Sequence, residues 1–596
     1  MLNRPDGLLN RRQFELWGAA LFLSAFVFYL STAPHTIFTN DNAEFVTAAA
    51  TAGIPHPSGY PLFVILTWLF AKLPFGSVAY RLNIFSGLCQ ALSLVLLYVI
   101  LQKAFVKIGA RIAAAPYFVA VLVLPLAFTQ MYWYQAIIAK TYSLNLLLTL
   151  GLLLLAVRLL ETGKAKWLYL SAFMAGLGAA NHQMFLLYLP FLAGILCRRG
   201  LWNAKKFLMA GGLFILGLAP YVYIPLRAAA APLLNSGRVH DWLSFWNFIS
   251  RAQYGDMGVG ADFGEKMKFA AGFMELVMRQ FNWAAVLAVV GLIWSFKYAR
   301  RWFYLLTALL AANFLGIVML RETAYSYANL EFYATYFLPA YVAVYFFIAV
   351  GIVALAELAG KYARALIAAA AIILAALYLE MNAAINFDRH FVFIDELAGL
   401  TLISLPRNSV YIMSIGNTSS DTTAFSAIYE RAVNNLRPDV AVVAMPDVFP
   451  QVDEAAALAA FAQNDVFNRR RALYDYAKRT YPGRPIFATF PFVEYDEQLR
   501  QCAAARSNGF AYGAYATAAS GYRLFGPSLR DRTILNQDIF GQQYLADYYY
   551  KRAAAELYEP DKKIAPKDVE NAIAADPQPG SLQFVDYQRL RTMAGK

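Results

Sequence analysis

Long apolar runs recur along the first two thirds of the chain and stop before its last third. Between Phe14 and Leu379 these runs are repeatedly long enough to cross a bilayer as helices, which takes about 20 apolar residues each. Charged and polar residues are spread throughout residues 388–596. The pattern predicts a multispan α-helical membrane domain over residues 1–386 and a soluble, extracytoplasmic domain over residues 387–596.

Clusters of basic residues separate the apolar runs and predict how the spans are oriented. Cytoplasmic connections are enriched in Lys and Arg, so we expect these clusters on the cytoplasmic side. Counting the runs between them predicts about eleven transmembrane helices, with the N-terminus inside and the soluble domain outside. No small-residue cleavage site follows Arg11 and Arg12, so we expect a retained first helix rather than a signal peptide.

Composition supports a membrane protein and argues against a nucleic-acid partner. The chain is 59% hydrophobic and 15% charged, whereas soluble domains carry about 25% charged residues. Its net charge of +13 is distributed in short clusters between apolar runs, where topology explains it. Three scattered cysteines indicate neither a disulfide framework nor a metal site. Alanine-rich composition and short connections are compatible with a bacterial inner membrane.

The first outward segment, Thr-Asn-Asp-Asn-Ala-Glu-Phe at residues 39–45, carries two carboxylates. Thr39 or Asn40 could cap a short helix in which Asp41 and Glu44 share one face. A carboxylate at the edge of a low-dielectric layer, close to another, is suited to act as a general base. The alternative is that these charges only complement the helix dipole.

A second outward segment, Gly-Ile-Pro-His-Pro-Ser-Gly-Tyr-Pro at residues 53–61, cannot be helical because of its prolines and glycines. We expect a rigid binding loop beside the carboxylates, in which His56 either holds a phosphate oxygen or caps a turn. A purely structural re-entrant corner is the alternative.

Further polar residues are predicted at the ends of spans. Asn181 and His182 follow small residues that permit close helix packing. Arg227 ends a span and Arg251 follows it, and the geometry of arginine matches phosphate. Arg227 could instead snorkel to the interface. Residues 321–331 form a polar aromatic patch that suits either a sugar or an interfacial belt.

The soluble part contains three strand-like runs separated by helix-like segments. These runs, residues 409–415, 439–444 and 485–490, predict an α/β domain. Asp421 and Asp447 lie near strand ends, but loop carboxylates are more often simply solvated, and we expect no catalysis there. The chain contains no P-loop, zinc-protease helix or dinucleotide-binding turn.

Several of these motifs together resemble one family, the transmembrane O-mannosyltransferase-like proteins, which are similar to membrane glycosyltransferases of the GT-C type. The resemblance covers residues 15–340 and is carried by Asp41, Glu44, Phe45, residues 55–62, 80–83 and 142–145, Gln135, Asn181, His182, and residues 220–227 and 251–255. The sequence departs from the family pattern at Ala43, Ser58 and Lys140, where glycine, proline and an acidic residue are expected. The change from an acidic residue to Lys140 bears on how the donor or the acceptor binds.

The resemblance implies a GT-C-like enzyme that uses a polyprenyl-phosphate-linked sugar, mannose or another hexose. The expected acceptor is extracytoplasmic, a protein or glycan, and the chemistry requires no metal or other cofactor if arginines carry the phosphate charge. Asp41 is the expected catalytic group, with Glu44 second. Expected donor phosphate ligands are Arg227, Arg251, His182 and His56. Expected substrate-binding residues are Asn181, Tyr60, Tyr80, Arg81, Gln135 and Tyr142.

A polytopic transporter or lipid-carrier flippase is the main alternative, because intramembrane polar residues would serve transport as well. Transporters often contain two related halves. No second Asp-x-x-Glu or Pro-His-Pro segment occurs in the second half of the chain. The sequence therefore favours the glycosyltransferase, and a non-catalytic scaffold would require both carboxylates to be replaceable.

Overall fold

The computed structural model describes most of the chain up to residue 443 and short segments beyond it. The described residues are 11–39, 41–108, 115–190, 203–237, 239–252, 262–320, 325–386, 391–413, 418–443, 466–488 and 512–513.

Most of the described residues are helical, as the long apolar runs predict. The helices are α1 Arg11–Thr32, α2 Asn42–Thr51, α3 Pro61–Ala71, α4 Val78–Ile108, α5 Pro116–Val123, α6 Gln130–Ile137, α7 Thr141–Thr162, α8 Ala165–Asn181, α9 Ala204–Gly217, α10 Tyr223–Ala229, α11 Trp242–Ile249, α12 Phe263–Phe281, α13 Val286–Tyr298, α14 Arg300–Leu320, α15 Tyr327–Ala334, α16 Leu338–Leu358, α17 Ala363–Asn386, α18 Phe393–Ser404, α19 Thr418–Ala432 and α20 Val466–Thr480. Short 3₁₀ turns lie at Leu124–Phe128, Gln183–Tyr188, Ala219–Val222, Asn282–Ala285, Thr335–Phe337 and Gly360–Tyr362.

The chain is an integral membrane protein by the length and composition of these helices. Within the described residues, 7 helices are long and apolar enough to cross a membrane, or 9 if each of two bent pairs is one span. Pro116–Phe128 and Gln130–Ile137 meet at 76°, and Ala204–Gly217 and Ala219–Ala229 meet at 40°. Helix α3 is apolar but shorter than a span. The prediction of about eleven spans concerns the whole chain, and this finer count stays a prediction.

Close backbone contacts join the membrane helices. At Gly176 in α8, an added β-carbon would lie 2.2 Å from the Phe214 carbonyl oxygen of α9, so only glycine permits this approach. The small residues before Asn181 thus have the predicted packing role. Helix α16 is buried along nearly its whole length and packs against α13 and α14. The core of the membrane part therefore lies around α16.

The described part of the C-terminal region contains a small sheet. Strands β1 Val410–Ile412, β2 Ala441–Val443 and β3 Ile486–Ala488 are parallel in the order β2-β1-β3, and β4 Tyr512–Gly513 pairs antiparallel with β3. The first three strands fall within the predicted runs. Most of residues 444–596, including Asp447, lies outside the described residues. An α/β domain over the whole of residues 387–596 therefore stays a prediction.

Two helices of the C-terminal region pack onto the membrane part. Helix α19 contacts both α18 and α2. Before α18, the backbone carbonyl of Phe391 accepts a hydrogen bond of 2.7 Å from the Thr36 hydroxyl, and its ring lies 4.8 Å from that of Phe38. The segment after the last described membrane helix thus covers the first outward segment, where both predicted carboxylates lie.

Candidate active site

Helix α2 is held in place by a buried network of amide side chains. Asn42 Oδ1 accepts a hydrogen bond of 2.8 Å from the Phe38 backbone, and Asn42 Nδ2 lies 3.4 Å from Asn83 Oδ1 on α4. Asn83 Oδ1 also accepts a bond of 2.8 Å from the Ala139 backbone, just before α7. Both asparagines are fully buried. The start of α2 is therefore fixed against two long helices.

Asp41 is the residue that precedes α2, at its N-cap position. Its own side chain makes no capping hydrogen bond, and the side chain is partly exposed. Asp41, rather than Thr39 or Asn40, thus occupies the N-cap position; Asn40 lies outside the described residues, and a capping role for either residue stays a prediction. Asp41 and Glu44 still lie three positions apart at the start of the same helix.

Glu44 is completely buried and pairs with His56 of the Pro-His-Pro loop. Its two carboxylate oxygens accept bonds of 2.7 Å from the His56 backbone and 2.5 Å from Nδ1 of the ring. Burial alone would lower the pKa of His56, but the acidic groups of Glu44, Tyr60 and Asp41 outweigh it, and the net pKa lies well above the usual value. His56 is therefore an imidazolium at neutral pH, and it neither caps a turn nor stands alone.

The hydrogen-bonded chain continues from His56 through Tyr60 to Arg251. The Tyr60 hydroxyl lies 2.9 Å from His56 Nε2 and accepts a bond of 3.2 Å from Arg251 Nη1. Tyr60 and Arg251 are 191 residues apart in sequence. One carboxylate and two cations thus meet through a single phenol, which leaves a net positive charge next to Asp41.

Aromatic side chains form one wall of the site. The His182 ring lies 5.4 Å from Tyr60, 5.7 Å from Tyr142 and 6.0 Å from Tyr336. Burial, together with the positive charges of Arg251 and His56, lowers the pKa of His182 to about 3. His182 is therefore neutral. Because its Nδ1 accepts a bond of 3.2 Å from the Met184 backbone, its proton is on Nε2, which can donate to a ligand oxygen.

The same carboxylates and histidine could also hold a cation. One ligand atom from each of Asp41, Glu44 and His56 lies within 4.8 Å of the others. In this structure, Nδ1 of His56 is bonded to the Glu44 carboxylate, so the ring is already used as a charge partner. The expectation that the reaction needs no metal stays a prediction.

Two of the predicted substrate-binding residues adjoin this site through α7. Asn181 Nδ2 donates a bond of 3.2 Å to the Thr141 carbonyl, and the Ser143 hydroxyl donates a bond of 2.5 Å to the Gln135 carbonyl. Both Asn181 and Gln135 are fully buried. Within the described part of the chain, Asn181 Oδ1 and Gln135 Oε1 have no hydrogen-bond partner. These two oxygens are acceptors that a ligand hydroxyl could satisfy.

Other predicted site residues bond the backbone instead. The Tyr80 hydroxyl donates to the Leu30 carbonyl at 3.0 Å, and Arg81 Nη1 donates to the Ala71 carbonyl at 2.7 Å, at the end of α3. Arg227 Nε donates a bond of 2.7 Å to the Ala52 carbonyl at the end of α2. These contacts hold the site's framework, and the predicted ligand contacts of the three residues stay predictions.

Two residues of the site, Lys140 and Tyr336, were not predicted as ligands from the sequence. Lys140, which departs from the family pattern, is buried before α7, and its ammonium lies 5.8 Å from the centre of the Tyr134 ring. Tyr336 lies five residues beyond the predicted polar aromatic patch and was not predicted, because nothing in its spacing distinguishes it from the neighbouring tyrosines. Glu331, from the same patch, pairs with Arg279, while Arg321 and Glu322 lie outside the described residues.

The fold and the site define a polytopic membrane protein with a charged site at the ends of its helices, and known proteins share this fold. The solved structure of ArnT from Cupriavidus metallidurans, bound to undecaprenyl phosphate, superposes with a TM-score of 0.52 and 12% sequence identity. The match covers 85% of this chain and 99% of that one. At this identity the match shows the fold, which is the GT-C fold.

Sequence comparison then identifies the particular relatives. Residues 41–205 match the family described as the protein O-mannosyl-transferase TMEM260 N-terminal domain. The mouse protein O-mannosyl-transferase TMEM260 is 33% identical over 219 residues, 35% of this chain and 30% of that protein. The Dictyostelium discoideum protein of the same name is 26% identical over 302 residues, 46% of this chain and 35% of that protein.

The resemblance to the transmembrane O-mannosyltransferase-like family is therefore confirmed over residues 41–205. The matched segment begins at Asp41 and includes the His56 loop, Asn181 and His182. The match spans about a third of the length of the curated relatives. These relatives are eukaryotic, so the bacterial inner membrane and the orientation of the termini stay predictions.

Proposed function

We propose that this chain is a membrane glycosyltransferase that moves a hexose from a polyprenyl-phosphate donor to a hydroxyl of an extracytoplasmic acceptor. Mannose is the first candidate sugar and protein Ser/Thr the first candidate acceptor, because the relatives are named protein O-mannosyl-transferases. The ArnT structure was solved with undecaprenyl phosphate, which supports a polyprenyl-phosphate donor here.

One observation carries the proposal: a carboxylate lies beside a linked pair of cations. Asp41 offers a carboxylate oxygen within 4.8 Å of ligand atoms of Glu44 and His56. His56 and Arg251 meet at the Tyr60 hydroxyl. A base next to a fixed positive site is the arrangement that a reaction with a nucleophilic hydroxyl and an anionic leaving group requires.

The reaction is a direct displacement at the anomeric carbon. Asp41 removes the proton of the acceptor hydroxyl, whose oxygen forms a bond to the anomeric carbon as the bond from that carbon to the phosphate oxygen breaks. The leaving polyprenyl phosphate gains negative charge next to Arg251 and the imidazolium of His56. A single displacement inverts the anomeric configuration. General-base assistance contributes about 10²- to 10⁴-fold to such reactions.

Glu44 has a different role in this scheme from that of Asp41. It is fully buried, and both of its oxygens are bonded to His56, so its charge is committed to holding the imidazolium. His182 contributes its Nε2 proton as a neutral donor. The unpartnered oxygens of Asn181 and Gln135 are positioned to accept hydroxyl protons of the sugar or the acceptor.

The full chain, reconstituted in proteoliposomes, tests the proposal when supplied with polyprenyl phosphate carrying radiolabelled mannose or glucose and a Ser/Thr-rich peptide. We expect label to pass from the lipid extract to the peptide, to be released by β-elimination, and to show inverted anomeric configuration by NMR. Movement of labelled donor across the bilayer without transfer to any acceptor would instead support a transporter. Retention of configuration would contradict the single displacement.

A further inference from the structure

Helix α11, in the connection between α10 and α12, carries an exposed aromatic face that no described contact explains. Trp242, Leu243 and Trp246 are 75%, 65% and 55% exposed. At 100° per residue these three side chains fall on one side of the helix. Exposed tryptophans in a cluster are uncommon on a water-facing surface and mark a surface that another phase or molecule covers.

The conformation of α11 is fixed from its first residue. Asp241 and Ser244 form a capping box, in which Asp241 Oδ1 accepts a bond of 2.7 Å from the Ser244 backbone and the Ser244 hydroxyl lies 3.0 Å from the Asp241 nitrogen. Such a box favours helix over coil at this end of the segment. The aromatic face is therefore presented by a formed helix.

The opposite side of α11 rests on the binding loop. Phe248 is 3% exposed and packs with Ile54 and Ile224. Gly59 of the loop approaches so closely that an added β-carbon there would lie 3.0 Å from the Phe248 ring. The carbonyl of Ile249 accepts a hydrogen bond from Gln183. Helix α11 is thus a rigid link between its exposed face and the loop that contains His56.

Exposed apolar side chains also flank α11 in sequence on both sides. Val222 and Leu226, before α11, are 58% and 68% exposed, and Phe263, at the start of α12, is 73% exposed. The sequence of α11, Trp-Leu-Ser-Phe-Trp-Asn-Phe-Ile, contains no charge. Tryptophan prefers the boundary between headgroups and acyl chains, and amphipathic helices lie in that boundary about 5–10 Å deep.

We propose that α11 is an interfacial helix whose Trp242, Leu243 and Trp246 insert into the lipid leaflet that borders the active site. The occupant of this face is lipid, because the helix is uncharged, presents two exposed tryptophans, and is flanked in sequence by exposed apolar residues of the helices before and after it. Two positions after α11, Arg251 bonds Tyr60, so the depth of the helix in the leaflet sets the height of Arg251 and His56 above the membrane. This second part rests on the proposed function; the membrane contact does not.

Spin-label accessibility measures the contact directly. The full chain, with its three cysteines replaced by alanine, is labelled with a nitroxide at Trp246→Cys or at Asn247→Cys and placed in phosphatidylcholine nanodiscs. Asn247 is exposed on the polar edge of the same helix and is the matched control. We expect the ratio of oxygen to aqueous nickel-chelate collisions to exceed one at position 246 and to fall below one at position 247.

Two results would overturn the membrane contact. A ratio below one at both positions would place α11 in water. Inaccessibility to both reagents at position 246 would show that protein covers the face, either another part of this chain or a second copy.

Enzyme kinetics test the coupling to Arg251 separately. Trp242→Ser/Trp246→Ser should raise the KM for the lipid donor several-fold and leave kcat unchanged, whereas Trp242→Phe/Trp246→Phe should change neither. An unchanged KM in a chain whose label lies in lipid would refute only the coupling to Arg251.

Discussion

Replacement of Glu44 by Gln should make sugar transfer depend on low pH. The variant keeps the size of the side chain and an oxygen that can accept the His56 backbone hydrogen, but it removes the negative charge that faces Nδ1 at 2.5 Å. With that charge gone, burial of His56 lowers its pKa, and only Tyr60 and Asp41 oppose the change. We therefore expect the imidazolium to lose its proton near neutral pH.

The size of the effect follows from the protonated fraction. Above the pKa of His56 in the variant, each further pH unit lowers the protonated fraction of the ring about 10-fold. If transfer requires the imidazolium, kcat/KM of the variant falls by the same factor as the pH rises through this range and recovers as the pH falls. In the wild type, the raised pKa keeps the imidazolium through the same range.

Mannose transfer in proteoliposomes between pH 5.5 and pH 8.5 measures this profile. The matched control is Glu161→Gln, which removes a partly buried carboxylate paired with Lys103 at 3.3 Å in a part of the molecule that makes none of the active-site contacts. Thermal unfolding of both variants checks that each folds. A Glu44→Gln enzyme with the pH profile of the wild type would refute the role of the His56 charge, and so would a folded variant that stays inactive at pH 5.5.

Further predictions concern two arginines, the neutral His182, the buried Glu430 of helix α19, and divalent cations. Arg251→Lys should lower kcat about 10²-fold, because the fixed positive charge at Tyr60 is displaced. Arg227→Lys should chiefly lower thermal stability, by about 1 kcal/mol, through loss of the bond to the Ala52 carbonyl. Enzyme kinetics and melting curves separate the two outcomes. Since the pKa of His182 is lowered to about 3, the contribution of this residue to stability is present above pH 6.5 and is lost as the pH falls toward 3. His182→Gln should therefore make the melting temperature less dependent on pH between pH 6.5 and pH 4. An equally steep fall in the variant would contradict this role of His182. Burial and the neighbouring Asp395 raise the pKa of Glu430 in α19 to about 8, so stability should fall as the pH rises from 4.5 to 8, a slope that Glu430→Gln should abolish in pH-dependent melting. Transfer should continue after chelation of divalent cations by EDTA, because His56 and Arg251 supply the positive charge; loss of activity that Mg²⁺ or Mn²⁺ restores would instead place a cation among Asp41, Glu44 and His56.

Local sequence predicted that the carboxylate segment and the His56 loop lie side by side. The spacing of Asp41 and Glu44 and the prolines around His56 are features of short segments, and the structure brings these segments into contact. What the spacing could not indicate is that the two carboxylates differ. Glu44 is buried because the His56 loop folds back onto it, and this contact depends on the path of the loop rather than on the residue types.

Contacts between distant segments were beyond reach of the sequence. Nothing in the residues around Arg251 indicates that it meets Tyr60, and nothing in α19 indicates that it packs on α2. The bends of the membrane helices were beyond reach for a related reason. Apolar content reports whether a segment tolerates lipid, but a bend such as that of 76° before α6 depends on how neighbouring helices pack.

Conversion of Asp41 to asparagine tests the central proposal most directly. Asp262 is the matched control, because it is also an N-cap aspartate, at the start of α12, and its side chain accepts a bond of 2.7 Å from the Glu265 backbone. In proteoliposomes with equal amounts of folded protein, we expect Asp41→Asn to lower transfer from polyprenyl-phosphate mannose by about 10²- to 10⁴-fold and Asp262→Asn to leave it unchanged. Equal transfer by wild type and Asp41→Asn would contradict the assignment of Asp41 as the base.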